Sequence, residues 1–216
     1  YPCNFQICSD CGHGQLESFV EPDESYTDYI YKSRVTLGLN VAFEEYAKKI
    51  REMFGEAESI ALLDVGSNDG SFINSCLNNQ IKGYGVEPAA NLVEACRQRG
   101  LNIKQGFFDK NFEIQTEDNL PEKFDAITFN NVLANIPNPQ EALDTAKKLL
   151  KNIDSLIAIQ TGYHPIQFSK GLFDYIYHEH FSYFSINSLN LNITLALCSG
   201  GVFAQESKAF FALSTA

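Results

Sequence analysis

Apolar positions along this chain fall into short runs that alternate with helical spacings. Ile60–Gly66 (IALLDVG) is a short apolar run closing on glycine, the pattern of a buried parallel strand. A helix over 69–80 follows, then a strand at Gly83–Glu87 and a helix over Ala89–Arg99. NIKQG (102–106) predicts a third strand, Phe124–Leu133 a fourth, Pro139–Lys151 an amphipathic helix and Ser155–Thr161 a fifth strand. Upstream, Leu39, Phe43, Tyr46, Ile50 and Phe54 recur at helical spacing. Downstream come an aromatic-rich insertion, a helix from about Ile186 to Cys198, and the segments VFAQES and KAFFALST. The last two can pair as an antiparallel hairpin at the sheet edge. The βα rhythm predicts a Rossmann-like α/β fold with a seven-stranded, mostly parallel sheet and helices on both faces. Three parts are expected: a Cys-containing, turn-rich element over 1–20, an aromatic and helical linker over 21–58, and the α/β domain over 59–216.

Charge narrows the partners. The 216 residues carry 27 acids against 16 bases, a formal net charge of −11. Such a surface repels phosphate backbones and anionic membranes, so neither is expected as a general partner. An anionic small substrate would need local bases or backbone amides. No apolar run approaches the roughly 20 residues of a membrane span, and no secretory signal is evident. Of the six cysteines, Cys76, Cys96 and Cys198 lie in helical segments and read as small buried hydrophobes. A reduced, cytoplasmic protein fits this usage.

The sharpest structural motif is LLDVGSNDGSF (62–72), a strand that turns through Gly66, Ser67, Asn68 and Asp69 into a helix opened by Gly70. Glycines suit a turn that a ligand approaches closely. About twenty residues on, GVEP ends the next strand in Glu87, whose carboxylate can accept both hydroxyls of a ribose. Dinucleotides prefer G-x-G-x-x-G with amides facing a pyrophosphate. Here Asn68 replaces the second glycine and Asp69 puts a negative charge at the turn, which favours the cationic methyl donor S-adenosylmethionine over NAD. Phe107 and Phe108 stand where an adenine could lie, with the Phe108 amide as a candidate donor, or else belong to the core. Asn130 ends the fourth strand, where open α/β sheets bind ligands, and can meet the methionine portion. Asn131 beside it either caps the following turn or meets the acceptor.

YHEHFSYFS (177–185) puts two of the four histidines either side of a glutamate. Metal binding by His178 and His180 lacks a clear third ligand. General acid–base catalysis needs fewer partners: a histidine takes a proton, Glu179 orients it, and Tyr177 donates to a developing oxyanion. A methyl donor needs such a base when the acceptor must first be deprotonated, and carbon next to a carbonyl is the clearest case.

Together LLDVGSNDGSF, GVEPA, NNVLANI and YHEHFSYFS resemble the sugar C-methyltransferases, over about Tyr1 to Ser188. The resemblance implies a class I methyltransferase fold that uses S-adenosylmethionine to methylate C3 of a nucleotide-linked 4-keto-deoxysugar. Carried over by position, His180 is the base, Tyr177, Glu179 and His178 support it, and Tyr31 approaches the substrate. It further implies a four-cysteine zinc element at the N-terminus, of which CSDCGHGQL, with Cys8 and Cys11, resembles the second half. Two thiolates do not fill a tetrahedral zinc site, which leaves Cys3 and His13, or an upstream segment, to complete it. Asn135 stands where the family commonly has histidine, and no counterpart of the family's C-terminal domain falls within the sequence. Two alternatives stay open: methyl transfer to oxygen or nitrogen of another small metabolite, and a non-catalytic module that binds the methyl donor. The oligomeric state is not addressed by any motif.

Overall fold

The computed structural model describes residues 2–18, 20–26 and 29–190, together with the backbone of 208–214. In chain order the strands and helices are β1 (Phe5–Ile7), β2 (Gly14–Leu16), α1 (Pro22–Tyr26), α2 (Leu39–Met53), β3 (Ile60–Val65) and α3 (Ser71–Asn78). Then follow β4 (Ile81–Glu87), α4 (Ala90–Arg97), β5 (Ile103–Gln105), β6 (Ala126–Asn130), α5 (Pro139–Leu149) and β7 (Leu156–Gly162). After β7 come α6 (His164–Ser169), β8 (Ser182–Tyr183), a helix beginning over 186–190, and β9 (Lys208–Ser214).

Among the described residues the main sheet has six strands in the order β5-β4-β3-β6-β7-β9, and every pairing is parallel. The order reverses beside β3, so a crevice opens at the carboxyl ends of β3, β4 and β6, where such sheets bind ligands. Strand alternation divides the core. Leu63, Val65, Ile127, Phe129, Ile157 and Ile159 face α5 through Ala142, Leu143 and Ala146. Ile60, Leu62, Ala126, Leu156 and Ala158 face the other way, against α2 and Phe72 and Cys76 of α3. The apolar spacing of α2 buries Phe43 and Tyr46 on Phe72, at ring distances of 5.3 and 5.2 Å. Helix α5 starts where Pro139 follows Asn138, whose side chain accepts the Glu141 N–H at 3.3 Å.

The expected strands and helices between residues 39 and 161 are found, with helix ends trimmed by a few residues. At the C-terminal edge Lys208–Ser214 runs parallel to β7. A parallel partner needs a crossover of a dozen residues or more, which the long segment 163–207 exceeds. VFAQES, the later part of the helix expected to reach Cys198, and that cysteine lie outside the described residues. Cys76 and Cys96 are buried as expected.

A second sheet joins the chain's beginning to its late insertion: β1 pairs with β2, and β2 pairs antiparallel with β8. The Leu16 N–H also donates to the Phe181 carbonyl at 3.1 Å, and the Phe181 N–H to the Ala134 carbonyl at 2.8 Å. The last residues of YHEHFSYFS are therefore structural. Phe184 is completely buried in the core face shared with α5 and lies 5.3 Å from the His13 ring. Truncating such a ring leaves a cavity, so Phe184→Ala is expected to cost about 3–5 kcal/mol. Urea unfolding followed by circular dichroism measures this; a loss under 1 kcal/mol would contradict the packing.

Candidate active site

The turn after β3 is shaped by backbone before side chains enter. The Gly66 and Ser67 N–H groups both donate to the Val86 carbonyl, at 2.9 and 3.0 Å, which locks the turn to β4. Gly66 has φ +67°, and a Cβ there would fall 2.5 Å from a Val132 methyl. At the end of β4 the buried Glu87 carboxylate accepts the Asn68 N–H at 2.8 Å on one oxygen and the Ala89 N–H at 3.1 Å on the other. Each oxygen keeps a lone pair, so Glu87 can still accept a diol. Burial raises its pKa, and the two amides work against that rise.

Above these strand ends lies a cavity of about 460 Å³. Gly66, Asn68, Glu87, Phe107, Phe108, Asn130 and Asn131 contribute to its wall, as do Tyr26, Tyr29 and Tyr31 from the N-terminal side. Its charged lining is Glu21, Glu87, Asp109 and Glu141 against Lys110, four carboxylates to one ammonium. This balance suits a cationic ligand. The two phenylalanines separate: Phe107 is partly exposed at the mouth, while Phe108 is buried against Phe112 and Phe129 at 4.8 and 5.9 Å. Asn131 has φ +54° and donates its N–H to the Gln160 carbonyl, a turn-forming position that also reaches the wall.

Asp69 and Gly70 stand behind the wall. The Asp69 carboxylate accepts from the Ser71 hydroxyl at 2.6 Å, the Ser71 N–H at 3.2 Å and the Arg34 N–H at 3.1 Å. Asp64 was not anticipated. It is fully buried in β3 and accepts from the Thr128 hydroxyl at 2.8 Å and the Asn130 amide at 2.9 Å, which orients Asn130. Burial pushes its pKa up to about 7, against the pull of those two donors. An acid inside an otherwise apolar strand was the available signal.

None of Tyr177–His180 is part of the cavity wall; the run is joined to it through Glu179 and the wall residue Tyr29. His180 Nδ1 lies 3.2 Å from the Tyr175 carbonyl, which can only accept, so Nδ1 carries the proton. The lone pair on Nε2 then accepts the Tyr177 hydroxyl at 2.9 Å. Burial lowers the His180 pKa and the Tyr175 carbonyl partly restores it. Burial, then the Glu179 charge, pushes Tyr177 up to about 12. The Tyr29 hydroxyl donates to Glu179 at 3.1 Å, and Tyr26 and Tyr29 pack at 5.2 Å. Asn135 donates its amide to the Tyr26 hydroxyl at 3.0 Å. Tyr183 pins the loop, accepting the Tyr177 N–H and donating to the Tyr175 carbonyl, both at 3.2 Å. His178 instead faces the Cys3 thiol at 3.4 Å, which draws it from the Tyr177–His180 pair.

The zinc expectation does not fit. Among the described residues no three His, Cys, Asp or Glu side chains converge as a metal site. Cys3 is engaged with His178. His13 packs on Phe184, its pKa lowered by burial and by His164. Cys8 is held below the ordinary thiol value by the backbone at Cys11 and Asp10, yet two sulfurs leave a tetrahedral ion half-coordinated.

A parallel sheet, a glycine turn braced by a buried acid, and an acid-lined cavity define a Rossmann-like domain for a cationic nucleoside cofactor. The comparisons make this definite. A family model described as a methyltransferase domain matches residues 40–192. The chain belongs to that family, and carries an S-adenosylmethionine-dependent methyltransferase domain. It is 28% identical over 191 residues to the C-methyltransferase NovU of Streptomyces niveus, covering 88% of this chain and 44% of that protein. The chain thus spans less than half the length of that relative. An S-adenosylmethionine-dependent methyltransferase from Archaeoglobus fulgidus superposes with a TM-score of 0.56 at 19% identity, over 73% of this chain and 68% of that one. The YcgJ protein of Bacillus subtilis gives 0.54 at 15%, over 71% and 68%. Both likenesses concern the fold. No helix among the described residues is long and apolar enough to cross a membrane.

Burial is the first cause of lowering for three of the four histidines, His13, His164 and His180. In ring-proton NMR across pH 4 to 8 these three should titrate below the ordinary value of about 6.5. A His180 midpoint at or above that value would contradict the neutral, Nε2-accepting ring.

Proposed function

We propose that the chain methylates a carbon next to a ketone, the favoured acceptor being C3 of a nucleotide-linked 4-keto-deoxysugar. The observation that carries this is the Tyr177–His180 hydrogen bond, a neutral base on a protonated phenol, beside a cavity suited to the methyl donor. The relative named a C-methyltransferase supports transfer to carbon.

The residues fit the donor. Glu87 would accept the ribose hydroxyls, Gly66 and Asn68 border the methionine portion, Asn130 is oriented toward it by Asp64, and Phe107 covers the adenine. When bound, S-adenosylmethionine supplies an electrophilic methyl group. The chain's own work is proton transfer. His180 Nε2 takes the proton from the acceptor carbon, and the Tyr177 hydroxyl turns from Nε2 to donate to the carbonyl oxygen, where negative charge develops. Glu179 does not reach the reacting carbon in this reading. Held by Tyr29, it keeps Tyr177 protonated. Tyr31 and Asn131 border the acceptor. Because the wall carries four carboxylates to one ammonium, the phosphates of a nucleotide-linked acceptor lie outside it. A donor-binding module without turnover is the second reading, favoured by Asn135, whose amide cannot shuttle a proton.

The pH dependence follows from the base. Activity requires neutral His180, so it should rise with pH through a midpoint below about 6.5 and stay level until Tyr177 approaches its own ionisation near pH 12. His180→Ala should lower turnover about 10²- to 10⁴-fold, with carbon NMR of the product showing a C-methyl group. An O-methyl signal would replace this reading. Calorimetry with S-adenosylhomocysteine tests the donor site separately: Glu87→Ala should weaken binding by about ten-fold or more.

A further inference from the structure

Residues 29–36 form a strap of mostly irregular backbone across the donor end of the cavity, with one 3-10 turn at Ser33–Val35. Irregular backbone must find hydrogen-bond partners, and here side chains of the donor-side turn and helix supply them. Asn68 Oδ1 accepts the Ser33 N–H at 2.9 Å, and its Nδ2 donates to the Tyr31 carbonyl at 3.0 Å. Asp69 Oδ2 accepts the Arg34 N–H at 3.1 Å. From α4, Asn91 Nδ2 donates to the Tyr29 carbonyl at 3.1 Å. Apolar anchoring is weak by comparison: Ile30 is 90% exposed and Leu37, just beyond, 101%. The strap is held by a polar latch, and Tyr29 within it holds Glu179.

This accounts for the side chains at the turn. Asn68 sits at φ +49°, where glycine is the usual residue, and its amide holds the strap at two points while its Oδ1 also accepts the Asp69 N–H at 2.8 Å. Asp69 divides its carboxylate between the strap and the start of α3.

We propose that Asn68, Asp69 and Asn91 are positioning residues for the reactive end: they latch the strap over the donor and, through Tyr29, set Glu179 beside Tyr177 and His180. The inference rests on the methyltransferase reading above. It gives Asn68 a role that binding the donor does not require.

Two variants cut the latch with little risk to folding. Asn68→Gly keeps the positive φ and removes both bonds to the strap together with the one to the Asp69 N–H; Asn91→Ala changes an exposed helical position. Hydrogen–deuterium exchange is followed peptide by peptide, and S-adenosylhomocysteine affinity is measured by calorimetry with Glu87→Ala as reference. In the double variant exchange over 29–36 should rise about ten-fold or more, the loss of three hydrogen bonds of ordinary net worth, while β3 and β6 keep their protection. Affinity in Asn91→Ala, outside the cavity wall, should fall less than about three-fold, against ten-fold or more for Glu87→Ala. Strap exchange in Asn68→Asp, which keeps the acceptor for Ser33 and loses the donor to Tyr31, should fall between. Unchanged strap exchange in either single variant, or loss of binding in Asn91→Ala as severe as in Glu87→Ala, would overturn the proposal. If neither wild type nor variants bind S-adenosylhomocysteine, the methyltransferase reading fails, while strap exchange still decides whether the latch exists.

Discussion

The carboxylate of Glu87 is the constraint on which the site's geometry depends. Buried at the end of β4, it accepts one amide from the turn after β3 and one from the start of α4. Those two bonds fix both walls of the crevice relative to each other. Without them the Asn68 N–H, inside a tight positive-φ turn, would lose its partner. Burial raises the pKa of Asp64, and the Glu87 charge adds to that rise.

The two ends of the site differ in charge. The donor end gathers carboxylates, four of them along the wall among the described residues. Around Tyr177 burial removes charge: it keeps His180 neutral and raises Tyr26, Tyr29 and Tyr177 beyond the ordinary phenol value. Glu179, hydrogen-bonded to Tyr29, adds its charge to all three tyrosine shifts.

Much of this was legible in the sequence, for reasons that differ by element. The strands from Ile60 to Thr161 announced themselves because both faces are buried, which leaves long apolar runs between glycine and proline punctuation. Glu87 was legible because a strand-end acid about twenty residues past a glycine turn has few other uses. The crowding of YHEH drew attention to that run, but did not show that Phe181 and Phe184 after it are core, since aromatics serve sites and cores equally. The strap was illegible: its bonds run from backbone to Asn68, Asp69 and Asn91, and no periodicity encodes an irregular segment's partners. Asp69 was read by its sign toward a ligand, whereas a neighbouring hydroxyl and two backbone amides claim it at shorter range. The strand β9 stands beside β7, and its direction was not legible because it depends on the path of a crossover that local pattern does not record.

The pairing of β2 with β8 has a consequence for how the chain comes to be folded. Cys3 meets His178 across 175 residues of sequence. During synthesis the N-terminal segment emerges first and must wait, its β2 edge unpaired, until almost the whole α/β domain has been made. Contacts this distant in sequence are slow to form because the loop they close is long. Pairing of β2 with β8 therefore trails the formation of β3 to β7, and the crevice at the ends of β3, β4 and β6 is formed before it. A chain stalled in between would expose an open β-edge, the kind of surface on which chaperones and aggregation compete.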